Sequence, residues 1–157
     1  MTRHCVLFVC TGNICRSPTA EGVARGLAQK HGVAHLFEFD SAGTHDYHVG
    51  EPPDPRTVRA AAKRGYDLSP LRARRVTEFD FVRFDRVLAM DREHLALLKR
   101  ACPPPHHGKL GLFLDFSERV EVDEVPDPYY GDARGFEHVL DLVEDAATQM
   151  ILKLAAK

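Results

Sequence analysis

The sequence predicts an α/β protein: a mostly parallel sheet with helices on both faces. Two observations carry the prediction. Strand-like and helix-like segments alternate along all 157 residues, the pattern of strands joined by crossover helices. The first strand-like segment, His4 to Val9, is apolar almost without alternation, as expected for a central strand buried on both faces. A third observation places the working end. That strand runs straight into a polar loop, Cys10-Thr11-Gly12-Asn13-Ile14-Cys15-Arg16-Ser17-Pro18, and ligands of parallel sheets bind beyond the carboxyl ends of the strands.

After the loop, Pro18 suits the first helical position and Ser17 the cap before it. Ala20, Val23, Ala24, Leu27 and Ala28 then form one apolar face, and Gly32 suits the end. Phe37-Glu38-Phe39-Asp40 alternates, so the second strand is expected to be half-exposed, at an edge. The stretch Ser41 to Pro55 is rich in Gly, Pro, Asp and His; a loop of this length in a compact domain is usually functional. Asp54-Pro55 opens a second helix, with Val58, Ala61 and Ala62 inward and Gly65 at its end. A basic connection runs from Ser69 to Thr77, and a short helical turn from Thr77 to Val82. The third strand lies within Phe84 to Met90, centred on Arg86 to Ala89. Asp91 caps a helix that Pro103, Pro104 and Pro105 stop. Leu110 to Leu114 reads as the fourth strand and Ser117 to Gly135 as mostly loop. Phe136, Val139, Leu140, Val143, Ala147, Met150, Ile151 and Leu154 keep helical spacing to the end.

The length fits one domain, residues 1–157, with a full core. A formal net charge of −2 gives no argument for nucleic acid or a membrane surface. No apolar run approaches a membrane span, and the short apolar run after the N-terminus lacks the shape of a signal peptide. Four cysteines without a disulfide framework suggest reduced thiols and a cytoplasmic protein.

The polar loop invites a chemical reading. A strand, a tight turn and a helix N-terminus in succession let backbone N–H groups and the helix dipole converge on an anion. Gly12 and Asn13 both tolerate left-handed backbone, which turns successive N–H groups inward. Arg16 offers a planar fork able to hold two phosphoryl oxygens. The same positive field favours a thiolate at Cys10, so the loop reads as a phosphate cradle with its own nucleophile. The Ser17 hydroxyl can cap the helix or donate to the Cys10 sulfur. Covalent catalysis then needs a proton donor for the leaving oxygen. Asp127, in Asp127-Pro128-Tyr129-Tyr130, is the candidate and Asp132 its rival; Asp54, also before a proline, is explained by capping.

At these residues the chain resembles the low-molecular-weight protein tyrosine phosphatases. The resemblance spans nearly the whole length, through Cys10 to Pro18, Asp40-Ser41-Ala42-Gly43-Thr44, Gly50 to Pro55, Met90-Asp91 and Asp127 to Asp132. It implies a four-stranded parallel sheet with helices on both faces, Rossmann-like and of the phosphotyrosine phosphatase I type, with no metal or organic cofactor. It implies Cys10 as nucleophile, Arg16 as phosphate clamp, Ser17 as partner of the thiolate and Asp127 as general acid and then base. Thr11, Gly12, Asn13, Ile14 and Cys15 complete the phosphate-binding loop, with Asn13 and Ser41 holding its shape. Tyr47, His48, Tyr129 and Tyr130 wall the pocket. The substrate implied is a phosphotyrosine-containing protein, with phosphate or vanadate as active-site ligand, and a monomer is expected. Cys15 is either the partner of a reversible disulfide with Cys10 or a buried structural thiol. Leu71 departs from the family, many members of which carry a loop-steadying histidine there.

Other signals weigh less. Arg72, Arg74 and Arg75 read as a paired or solvated cluster, and Cys102 with His106 and His107 as a loop, because a fourth metal ligand is missing. An arsenate reductase needs further relay cysteines downstream. A protein arginine phosphatase resembles the chain more closely but carries a threonine where Ile14 stands. A non-catalytic phosphate-binding module needs neither thiol nor acid.

Overall fold

The computed structural model describes residues 3–118 and 122–156. Residues 119–121, inside the loop expected over 117–135, lie outside them. The sheet has four parallel strands: β1 His4–Cys10, β2 Phe37–Gly43, β3 Arg86–Ala89 and β4 Leu110–Leu112. Their order is β2-β1-β3-β4, which makes β1 central and β2 an edge, as their apolar and alternating patterns require. Val9 pairs with Ala42 on one side and Ala89 on the other, so the loops after these strands leave the same end of the sheet. In this order the chain reverses its direction of strand addition between β1 and β3, the crevice where such sheets hold ligands.

Val6, Leu7, Phe8 and Val9 are fully buried, and their alternation splits the core in two. Val6 and Phe8 pack with helices α1 (Arg16–Lys30), α2 (Pro55–Lys63) and α5 (Ala133–Ala155). Leu7 and Val9 pack with the other layer, α3 (Glu78–Arg83) and α4 (Arg92–Ala101). A strand with apolar residues on both faces therefore acts as the wall between two cores, each of which buries one helix layer.

Several expectations need correction. Helix α1 starts at Arg16, not Pro18. Cys15 is its N-cap and makes no side-chain cap bond, because Ser17 lies already inside the first turn and its hydroxyl is taken up elsewhere. In α2 the buried residues are Thr57, Ala60 and Ala61, whereas Ala62 is exposed and Val58 half-buried; the helix sits rotated from the expected face. Strand β4 stops at Leu112. Phe113 and Leu114 are buried instead in a short 3-10 turn, Phe113–Phe116, so they are apolar for the core without being strand. Other boundary signals agree with the structure. Asp54 and Asp91 cap α2 and α4, accepting from Arg56 N and His94 N, and Thr77 with Asp80 forms a capping box on α3.

Candidate active site

The loop between β1 and α1 is held in one shape by Asn13. This residue takes the left-handed conformation (φ 58°), which asparagine tolerates better than most residues. Its side-chain amide donates to Ser17 Oγ at 2.8 Å and Ser41 Oγ at 2.9 Å, and its Oδ1 accepts from Arg74 N at 3.0 Å. Ser41 in turn donates to buried Glu21, 2.7 Å away. Burial raises the Glu21 carboxyl above its ordinary range, against the pull of Ser41 and Arg25. Gly12 does not use the left-handed freedom expected of it, since its φ is not positive. Its lack of a side chain serves close approach, because a Cβ there would lie 2.8 Å from His48 Cδ2. Gly43 is more constrained still: a Cβ would meet Thr11 O at 2.7 Å. This glycine lets the end of β2 lie against the loop, where Thr44 N and His45 N donate to Cys10 O and Thr11 O.

Leu71 is half-buried and packs on the larger core. Loop support on this side comes from backbone. Gly43 N donates to Arg74 O, Val76 N to Gly43 O and Gly50 N to Ala73 O, fixing the strip that presents Arg74 N to Asn13. The Arg74 side chain pins the strip through Asp40 and Asp80, a structural use for one member of the basic cluster.

At the centre, Cys10 is 3% exposed. Ser17 Oγ lies 2.9 Å from its sulfur, and Ser17 N donates to that sulfur at 3.4 Å. Of the two uses considered for the Ser17 hydroxyl, the structure has the contact with sulfur. The backbone N–H groups of Gly12, Asn13, Ile14 and Cys15 meet no protein acceptor among the described residues. Four consecutive loop N–H groups without a protein acceptor are donors that a bound anion could use.

Arg16 closes the loop and is 5% exposed. Its NH1 donates to Asp91 Oδ2 at 2.9 Å and Val125 O at 3.1 Å, and its NH2 lies 3.5 Å from His94 Nε2. Asp91 thus grips the guanidinium with one oxygen and caps α4 with the other. Val125 N donates to Met90 O, which stitches the segment leading to Asp127 onto the end of β3.

Asp127 sits over the loop. Its Oδ1 accepts from Tyr129 N at 3.0 Å and its Oδ2 lies 3.8 Å from Arg16 NH2. Asp132 points to another task, since it caps α5 and binds Arg134. Of the two acids weighed, only Asp127 lines the cleft, a cavity of about 230 Å³. Thr11, Ile14, Cys15, Tyr47, His48, Tyr129 and Tyr130 line it too. Tyr130 is 92% exposed and Tyr47 67%, so the rim is open aromatic surface set over a buried polar floor. Tyr129 packs edge-on against Tyr130, and Arg56 lies over the Tyr129 ring. Cys15 is buried, and that burial pushes its thiol up to about 12.

The sequence reading missed His94 and Glu21. Neither belongs to the loop motif; each reaches it only through the fold. Elsewhere, His107 Nε2 meets the Cys102 carbonyl oxygen, and no cluster of three or more metal-ligating side chains exists among the described residues.

Comparison with known proteins follows the same outline. A model of the family described as low molecular weight phosphotyrosine protein phosphatase matches residues 5–157. The chain is 45% identical to the low molecular weight protein-tyrosine-phosphatase of Streptomyces coelicolor, over 93% of this chain and 90% of the relative. It is 43% identical to the low molecular weight phosphotyrosine protein phosphatase of Schizosaccharomyces pombe, covering 83% and 84%. A crystal structure of protein tyrosine phosphatase from Entamoeba histolytica, with Hepes in the active site, superposes with a TM-score of 0.94 at 40% identity, covering 98% of this chain and 97% of the other.

Proposed function

The chain belongs to the low molecular weight phosphotyrosine protein phosphatase family, and from that premise we propose that it hydrolyses phosphotyrosine in proteins through a cysteinyl-phosphate at Cys10. The observation that carries the reading is the run of four unpartnered amides, Gly12 to Cys15, in the loop that follows Cys10, closed by a buried Arg16 held by Asp91 and Val125 O.

The roles follow from position. The phosphoryl oxygens accept from the loop amides and from Arg16, whose Nε–H has no protein acceptor among the described residues. The Cys10 thiolate attacks phosphorus on the face opposite the leaving oxygen. Asp127, above the loop, gives that oxygen its proton and then takes one from the water that hydrolyses the intermediate. Ser17, 2.9 Å from sulfur, stabilises the thiolate before attack and as it leaves. Preorganised donors of this kind are usually the largest contribution to such catalysis. Tyr47, His48, Tyr129 and Tyr130 flank an aromatic leaving group, which favours phosphotyrosine over phosphoserine.

The reading extends to a reducing cytoplasm, with which four unbridged cysteines agree, and to a monomer. It extends also to redox control through Cys15, which lines the same cleft as Cys10.

The test compares phosphotyrosine, phosphoserine and phosphoarginine peptides, with and without vanadate, in wild type and Cys10→Ser. Phosphotyrosine should be preferred, vanadate should inhibit, and Cys10→Ser should bind phosphate without turnover. Turnover by Cys10→Ser, or a preference for phosphoarginine, contradicts the reading.

A further inference from the structure

We propose that His94 is a positioning residue for this chemistry: a neutral imidazole, protonated on Nδ1, that fixes the plane of the Arg16 guanidinium and anchors the Thr11 hydroxyl behind the phosphate loop. The inference rests on the loop being the phosphate site.

His94 is the third residue of α4 and is 2% exposed. Its Nε2 lies 2.7 Å from Thr11 Oγ1 and 3.5 Å from Arg16 NH2. A guanidinium has only donors to offer, so the ring nitrogen facing it has to be the bare one. Nε2 then accepts from Arg16 and from the Thr11 hydroxyl, and the proton sits on Nδ1. Nδ1 faces Asp91 Oδ1 across 3.1 Å. The contact attracts electrostatically but is too poorly aligned for a hydrogen bond. Asp91 itself is fixed, since Oδ1 accepts from His94 N and Oδ2 from Arg16 NH1. Asp91, His94 and Arg16 therefore close a ring of contacts around the back of the loop.

The charged groups around the imidazole agree with a neutral ring. Burial and Arg16 of α1 oppose its protonation, as does His45 from the segment after β2; Asp91 and Asp127 favour it. Burial and Arg16 prevail, and the His94 pKa falls to about 4.

The consequence concerns geometry. Asp91 and Val125 O hold the guanidinium by NH1; on the NH2 side Asp127 Oδ2 lies 3.8 Å away, beyond hydrogen-bond distance, so His94 supplies the closer polar contact there. A contact on NH2 fixes its plane, and a bidentate grip on phosphoryl oxygens depends on that plane. Thr11, the first residue of the loop, is held by the same nitrogen. One side chain thus sets the relative position of both ends of the cradle.

The test uses wild type, His94→Leu and His94→Gln. Vanadate affinity, kcat and KM on an aryl phosphate, and urea stability are measured for each, and the wild-type ring is examined by 15N NMR. Leucine fills the buried space without an acceptor. It should lose only a little stability, through the Thr11 contact, while vanadate binds about tenfold more weakly and kcat falls. The glutamine oxygen can reach the place of Nε2, so His94→Gln should recover most of the affinity. The NMR spectrum should show the neutral Nδ1–H tautomer. The inference is overturned if His94→Leu binds vanadate like wild type, or if glutamine rescues nothing. It is overturned also if the ring carries its proton on Nε2, a result that stands even should the leucine variant fail to fold. If wild type itself binds no vanadate, the phosphate-site reading fails and takes this inference with it.

Discussion

Replacing Asn13 by alanine tests how the loop keeps its shape. The change deletes three hydrogen bonds, at 2.8, 2.9 and 3.0 Å, from a residue that is 2% exposed. At about 1 kcal/mol each these cost about 3 kcal/mol. Alanine must also hold a φ of 58° without the local bonding that reconciles asparagine to it, which adds about 1 kcal/mol. A loss of about 4 kcal/mol is a large share of the roughly 5–15 kcal/mol that keeps a domain folded. For a chain of this length it lowers Tm by about 8–16 °C. Calorimetry and urea unfolding read the loss directly. Asn13→Gly deletes the same bonds but accepts the dihedral, so it should melt roughly 2 °C above Asn13→Ala. Both variants should lose phosphatase activity, because Asn13 no longer braces the loop through Ser17, Ser41 and Arg74. An alanine variant within about 1 kcal/mol of wild type, or a glycine variant that melts below it, would refute the assignment of Asn13 as the loop's brace.

Three further outcomes follow from the same geometry. Asp127→Asn should slow turnover by about 10²–10⁴ on substrates with poor leaving groups and much less on aryl phosphates whose phenol leaves unaided; equal losses on both series would remove Asp127 as the acid. Peroxide should inactivate wild type reversibly by thiols, whereas Cys15→Ser should be damaged irreversibly; equal recovery would leave Cys15 a structural thiol. His94 is depressed from its ordinary value near 6.5 to about 4, so between these values the unfolded chain binds the extra proton. Stability should therefore be complete above about pH 6.5 and decline as the pH falls toward 4, by an amount on the order of a few kcal/mol. Urea titrations across that range, with His94→Leu as control, should show the decline flattened in the variant.

How much of this was legible in the sequence depends on how far apart the cooperating residues lie. The cradle from Cys10 to Pro18 is contiguous, and its residue types state their conformations: a buried apolar strand before it, asparagine at the left-handed turn, a helix after it. The place of Asp127 in the cleft was legible from its own tight segment. Its rival Asp132 caps α5, which begins beside it, and the length of that helix, not the local sequence, sets it to that task. Ser17 before Pro18 looks like a cap by local rules, but Asn13 and the Cys10 sulfur draw its hydroxyl into the loop and the helix starts earlier. His94 was illegible because it stands 83 residues from Thr11. The parallel register of β1 and β3, with Val9 opposite Ala89, carries it behind the loop, and no local pattern announces that pairing. The misplaced face of α2 has a related cause. With alanine at 60, 61 and 62 the apolar stripe is broad, and contact with α5 chooses which part is buried.

The central claim is that phosphate passes through sulfur at position 10. Rapid acid quench of the enzyme during turnover of an aryl phosphate, followed by peptide mass spectrometry, tests it most directly. Close to one phosphate per chain is expected on Cys10 in the first turnover, and none in Cys10→Ser. Steady hydrolysis with phosphate on another residue, or with no covalent phosphate trapped at any time, would contradict it.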